Sequence, residues 1–194
     1  MGNHDAVSIA LLDPRRFNEA ARLSAEWTRS TLTANSQAYL AALPLLRHLE
    51  GLELSITLVH GSPYEPEDFH YIFDCEDARS AFAVLDDDLA FVGHSHFPQS
   101  FAFKHHRAGI EMHERGRRGT GDDLDLAPGT KYIINVGSVG QPRDGDPSAS
   151  YAILDTMSRR IRWRRVAYDV ASVQAKIRAV GLPERNASRL SRGN

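Results

Sequence analysis

Cysteine is almost missing from this chain, with Cys75 standing alone among 194 residues. One thiol cannot close an internal disulfide, which excludes a disulfide framework and argues against a closed structural zinc site built on thiolates. A reducing, cytoplasmic location is the expectation. Long hydrophobic runs are missing as well. The richest stretch, Ala38 to Leu46, is interrupted by Pro44 and falls short of the roughly 18 apolar residues of a membrane span. The N-terminus lacks a basic segment followed by an apolar one, and Ala6 stands where a myristoylation signal wants Ser or Thr. Charge of one sign is also lacking: 23 Lys plus Arg against 25 Asp plus Glu leave a formal net charge of −2. No global field therefore draws the chain to nucleic acid or an anionic membrane.

What is present fits one domain with its own core. Asp13 and Pro14 open a helix whose apolar positions Phe17, Ala20, Ala21 and Trp27 carry it to about Leu32, and a short helix follows over Ser36 to Ala42. The run Leu54 to Val59 predicts a strand that stops at His60-Gly61-Ser62-Pro63. Helix returns from Glu76 to Leu85, then Leu89 to Val92 predicts a buried strand closing on Gly93-His94-Ser95-His96. Further strands are expected at Ser100 to Lys104, Lys131 to Val136, Ser150 to Leu154 and Arg159 to Tyr168, with a last helix from Asp169 to about Val180. Between His105 and Pro128 the pattern suggests a hairpin whose charged, Gly-rich stretch Arg115 to Asp123 is a solvated tip, with His105, His106 and His113 at the surface. Residues 185–194 are polar and aperiodic, so a flexible tail is expected after a domain of residues 1–184. Arg159, Arg160, Arg162, Arg164 and Arg165 flank Ile161, Trp163 and Val166 in strand-like alternation, which predicts a solvated strand face rather than a nucleic-acid surface.

Four segments place metal-capable side chains in short loops: Gly2-Asn3-His4-Asp5, His60-Gly61, Gly93-His94-Ser95-His96 and Asn135-Val136-Gly137-Ser138. Imidazole binds borderline divalent metals, and an amide oxygen can complete the shell. Loops at strand ends meet on one rim of an α/β sheet, so His60, His94 and His96 can converge from distant points in the chain. A glycine beside each lets the backbone turn without a Cβ clash. A single histidine at a strand end is more often a hydrogen-bonded residue than a ligand. The order of the four segments together is what points to a metal site.

That order, followed by Gly137 to Pro147 and Ser150 to Asp155, resembles the later half of calcineurin-like metallophosphoesterases, in particular their compact bacterial and archaeal phosphodiesterase members. The resemblance runs from about Met1 to Asp169. It implies an α/β (α+β) fold, a two-sheet αββα sandwich that is N-terminally truncated here, with two divalent metals at the sheet rim and a hydroxide between them. Residue by residue, it implies Asn3, His60 and His94 as ligands of one metal and His96 as a ligand of the other. His4 matches the histidine that contacts the scissile phosphate and Asp5 the acidic residue that steadies it and favours its imidazolium form, while Arg143 is positioned to face substrate. The resemblance implies manganese, iron, nickel, cobalt or zinc as the metal and a phosphate-ester substrate as the partner.

The family pattern also begins with an Asp-x-His turn and a later Gly-Asp carrying a carboxylate that bridges both metals, and this sequence has neither. Three neutral ligands give a dication no charge compensation. The expectation is a metal-dependent phosphoesterase impaired in the chain as it stands, with a misplaced start or a truncation as the source and an uncovered sheet edge as its structural consequence. The competing expectation is a non-catalytic binding scaffold on the same fold.

Overall fold

Along the strand Arg160–Val166, Ile161 is fully buried while Arg160, Arg162 and Arg164 form ion pairs with Asp123 or Asp125. A side-chain period of two thus splits one strand between a core and an aqueous face. The same logic builds the rest of this computed structural model. It describes residues 1–106, 109–115 and 123–194, with side chains described outside 105–122.

In chain order the elements are α1 (Asn3–Ser8), a 3₁₀ turn (Pro14–Arg16), α2 (Glu19–Thr31), α3 (Ala34–Ala41), β1 (Leu46–Leu49), β2 (Ile56–Val59) and α4 (Cys75–Val84). Then come β3 (Leu89–Val92), β4 (Pro98–His106), β5 (Gly109–Arg115), β6 (Asp123–Asp125), β7 (Lys131–Val136), β8 (Ala149–Asp155) and β9 (Arg160–Val166). The chain closes with α5 (Val170–Ala179), α6 (Glu184–Ser188) and a 3₁₀ turn (Leu190–Arg192). The fold is mixed α/β with two sheets. One has the strand order β1-β2-β3-β7-β4-β5, the other β6-β9-β8.

Parallel pairing of β2 with β3 and of β3 with β7, in a register that sets Val92 opposite Asn135, brings three carboxyl ends to one rim. Two cores flank the larger sheet. On one face Ala78, Ala81 and Phe82 of α4 pack with Val92, Phe101 and Ile133. On the other, Leu54, Ile56, Leu89 and Ile134 meet Ile161 of the second sheet. The outer face of that second sheet leaves Tyr151, Ile153 and Val166 exposed, and β8 is one of its two edges.

Several elements depart from the pattern read in the sequence. The helix expected from Pro14 to Leu32 is two pieces, because Phe17 is extended and the Asn18 side chain accepts from Ala21 N at 3.1 Å, starting a new helix there. β1 carries only two apolar residues on a short edge strand, too few to show as a period. β4 and β5 pair through His106 and Gly109, so the charged stretch expected as the hairpin tip follows β5. Residues 116–122 and the side chains of His105, His106 and His113 lie outside the described residues. Arg165 does not face solvent with the other arginines; its guanidinium bonds Asp144 and donates to Ser148 O.

The expected flexible tail is instead packed structure. Ala187 and Leu190 are buried, Asn186 Nδ2 donates to Ser24 Oγ of α2 at 2.7 Å, and Gly145 N donates to Gly193 O at 2.9 Å. Gly193 sits at φ +62°, where a Cβ would fall 2.7 Å from Asp146 backbone atoms, so this docking requires glycine. Polar composition hid the segment because its few apolar residues are spaced for docking rather than for a long helix. Phe101→Ala, at a fully buried position, is expected to lower unfolding free energy by about 3–5 kcal/mol, seen as a reduced urea midpoint with unchanged slope.

Candidate metal centre

Gly2-Asn3-His4-Asp5 is the start of a helix rather than a loop. Gly2 is the extended N-cap, and Asp5 reaches back so that its Oδ2 accepts from Gly2 N at 2.8 Å. Ala6 and Val7 anchor α1 in the core, and the Arg29 side chain of α2 donates to Val7 O and Ser8 O. A helix of six residues is too short to show a period in sequence. A Cβ on Gly2 would lie 3.0 Å from His60 Nδ1, so glycine permits α1 to approach the end of β2.

That approach brings Asn3 Oδ1 to 3.1 Å from His60 Nε2. The His60 and His94 ring centroids are 5.0 Å apart. Asn3, His4, Asp5, His60, His94, His96 and Arg143 all line one cavity of about 120 Å³, together with Gly2 and Tyr71. Every site residue expected from the sequence thus converges.

The turn after β3 is made differently from the expectation. His94 and His96 themselves adopt left-handed backbone, at φ 60° and 66°, whereas Gly93 does not have positive φ. Non-glycine residues in this region carry strain that surrounding contacts must offset. Asn135, at the end of β7, supplies them: its Nδ2 donates to Gly93 O at 2.6 Å and Ser95 Oγ at 2.8 Å, and its Oδ1 accepts from Gly137 N at 3.0 Å. Asn135 is fully committed as a clamp for the histidine loop.

Sequence reasoning missed several supports. Tyr71 stacks on His94, with centroids 3.8 Å apart and planes 17° off parallel. Phe17 lies 4.6 Å from the His4 ring. His96 Nδ1 donates to Gln141 O at 2.6 Å, which leaves Nε2 with its lone pair toward the cavity. None of these follows a spacing rule, since each is a contact between loops. A separate exposed group, Glu65, Asp68 and His70, has potential ligand atoms within 4.8 Å of one another, and Arg16 already pairs with Asp68 there at 3.4 Å.

Burial makes the site histidines poor bases. Desolvation is the main cause in each case, lowering His60 to about 4, His94 to about 3 and His96 to about 4, with the Arg143 charge adding to the effect on His94 and His96. His4 is also lowered, by burial first and Arg143 second, and this outweighs the opposing pull of Asp5. The expected imidazolium at His4 is therefore disfavoured in the metal-free chain, and Asp5 serves α1 as a cap. Neutral imidazoles beside an amide oxygen suit manganese, iron, nickel, cobalt or zinc, because each neutral ring keeps one nitrogen lone pair free of a proton at pH 7.

The pH dependence follows in sign. Below about 6.5 an unfolded histidine takes a proton, while His60, His94 and His96 stay neutral in the fold until about 4, 3 and 4. Stability they confer is complete above the unfolded value and declines as pH falls through this window. The melting temperature of the metal-free chain is expected to drop from pH 6.5 to 4.5, and less steeply in His60→Asn.

Comparison with known proteins agrees with this geometry. The family model of the calcineurin-like phosphoesterase superfamily domain matches residues 1–159. An uncharacterized protein of Methanocaldococcus jannaschii is 33% identical over 194 residues, covering 100% of this chain and 74% of the relative. The crystal structure of a metallophosphoesterase from Sphaerobacter thermophilus superposes with a TM-score of 0.79 at 39% identity, over 100% of this chain and 75% of that one. A hypothetical protein from Pyrococcus horikoshii shares the fold, with a TM-score of 0.74 at 20% identity over 100% of this chain and 71% of that one. A histidine-lined rim on a two-sheet scaffold and these matches lead to one assignment: the chain belongs to the calcineurin-like phosphoesterase superfamily.

Proposed function

We propose that the cavity at the sheet rim is the active site of a metal-dependent phosphoesterase acting on phosphodiesters or phosphomonoesters. Asn3, His60 and His94 are the ligands of one divalent ion, and His96 faces a second. The observation that supports this reading is the convergence of Asn3, four histidines and Arg143 on a single cavity of about 120 Å³. Divalent ions there neutralise phosphoryl oxygens and depress the pKa of water, the chemistry a resistant anionic ester requires.

The chain's own residues do the positioning. Arg143 offers planar donors to a phosphoryl oxygen, and its Nη2 is steadied by Gln141 Oε1 at 3.0 Å. His4, held against Phe17, lines the same cavity. As a neutral imidazole it donates one N–H to the ester or leaving oxygen. Asp5 keeps the α1 turn that presents Asn3 and His4. The charge balance is unfavourable for tight metal binding: among the described residues Asp5 is the one carboxylate lining the cavity, and its Oδ2 is hydrogen-bonded to Gly2 N. Metal affinity and turnover in this chain are accordingly weak.

Titration with manganese followed by calorimetry, and hydrolysis of bis(p-nitrophenyl) phosphate with and without manganese, test the proposal. Weak saturable binding that His60→Ala lowers by about tenfold or more, with slow manganese-dependent hydrolysis, is the expected result. Vigorous turnover would overturn the impairment. Binding without any turnover would instead support a scaffold on the same fold, and absence of both would sink the metal-site reading.

A further inference from the structure

A second cavity of about 330 Å³ shares His4, His96 and Arg143 with the histidine cavity, and part of its lining comes from the C-terminal segment. Arg143, Arg185 and Arg189 all line it. Arg185 and Arg189 are four residues apart, the spacing that sets two side chains on one helix face, where like charges repel. The family model stops at residue 159, so α5, α6 and the closing turn lie beyond the part of the chain that carries the shared motifs.

Three cations in one cavity need an explanation, because the acids beside them in sequence are engaged elsewhere. Asp144 bonds Arg165, and Glu184 pairs with Arg178 at 2.6 Å. Arg143 Nε is buried and has no hydrogen-bond partner. Arg189 is held by Asn194 O and is pushed below its ordinary pKa, first by burial and then by the charges of Arg143 and Arg185. Like charges gathered here oppose folding, the more so because Arg143 and Arg189 are half-buried. An anion in their midst reverses the sign of that interaction. Val173, Ile177, Leu182 and Leu190 line the same cavity, beside polar residues such as Asn18, Ser24 and Asn186, and the apolar members give an organic group a surface to lie on.

We propose that Arg143, Arg185 and Arg189 form a second anion subsite that holds a further phosphoryl group of the substrate, so that the enzyme takes organic di- or polyphosphates. The scissile phosphoryl sits at the histidine cavity, the next phosphoryl among the arginines, and the organic moiety against the apolar wall. This assignment rests on the phosphoesterase reading for its account of the first phosphoryl, but the subsite itself is a property of the metal-free chain. Guanidinium forks bind adjacent phosphoryl oxygens with two parallel bonds each, and a second anionic group multiplies the contacts an orthophosphate can make.

The test is calorimetric titration of the chain in EDTA with inorganic pyrophosphate and with orthophosphate. The wild type is expected to bind pyrophosphate at least tenfold more tightly. Arg185→Gln/Arg189→Gln removes that preference, whereas Arg162→Gln/Arg164→Gln, on the distant β9 face, retains it. If the first double variant fails to fold by its unliganded melt, Arg185→Gln alone carries the test, because Arg185 is exposed, and it lowers the preference at least threefold. Equal affinity for the two anions in the wild type, or a preference that survives the 185/189 substitutions, overturns the subsite. Manganese-dependent hydrolysis of a simple diester without any pyrophosphate preference overturns the subsite alone. Pyrophosphate preference without hydrolysis upholds the subsite and removes the enzymatic reading.

Discussion

Parallel pairing of β2, β3 and β7 is the constraint on which the rest of the structure depends. Because these strands run the same way, their carboxyl ends emerge at one rim, and residues from positions 60, 94 and 135 become neighbours. Fully buried Leu89, Ile133 and Ile134 hold the register. A slip of one residue would turn these side chains to the opposite face and disperse the histidines with them.

The rim is costly to maintain. It holds two non-glycine residues in left-handed backbone and several imidazoles out of water. The Asn135 amide offsets part of this by bonding three groups of the loops it joins. Neutral, desolvated nitrogens whose orientation is set by neighbours such as Gln141 are suited to a cation and poorly suited to stability at low pH. Strain and desolvation concentrated at one place are what a binding site requires of a scaffold stable elsewhere.

The C-terminal segment helps line the second cavity beside the histidine rim. Asn186 ties α6 to α2, Gln174 Nε2 donates to Ala187 O at 2.9 Å between α5 and α6, and Gly193 docks on the loop that follows Arg143. These contacts hold the segment that carries Arg185 and Arg189, which line the second cavity with His4 and His96. The like charges there contrast with β9, where outward Arg160, Arg162 and Arg164 are paired with Asp123 or Asp125.

Much of this was legible in the chain itself. The short apolar run at 89–92 announced a buried strand, because burial on both faces demands apolar side chains at every position. Asn3, His60, His94 and His96 were legible as metal-type donors, because donor chemistry is a property of residue type, and the structure sets them around one cavity. Other features left no local trace. The helical start at Asn3, the stacking of Tyr71 on His94 and the clamp at Asn135 are contacts between segments far apart in sequence. The burial that lowers the His4 pKa depends on what surrounds the ring, and the docked tail depends on a surface made by other elements. Sequence by itself determined the donors and the strands that carry them, since both are encoded by residue type and short-range period. Tertiary structure alone decided which charges those donors meet, because desolvation and electrostatic fields are set by all the groups packed around a side chain.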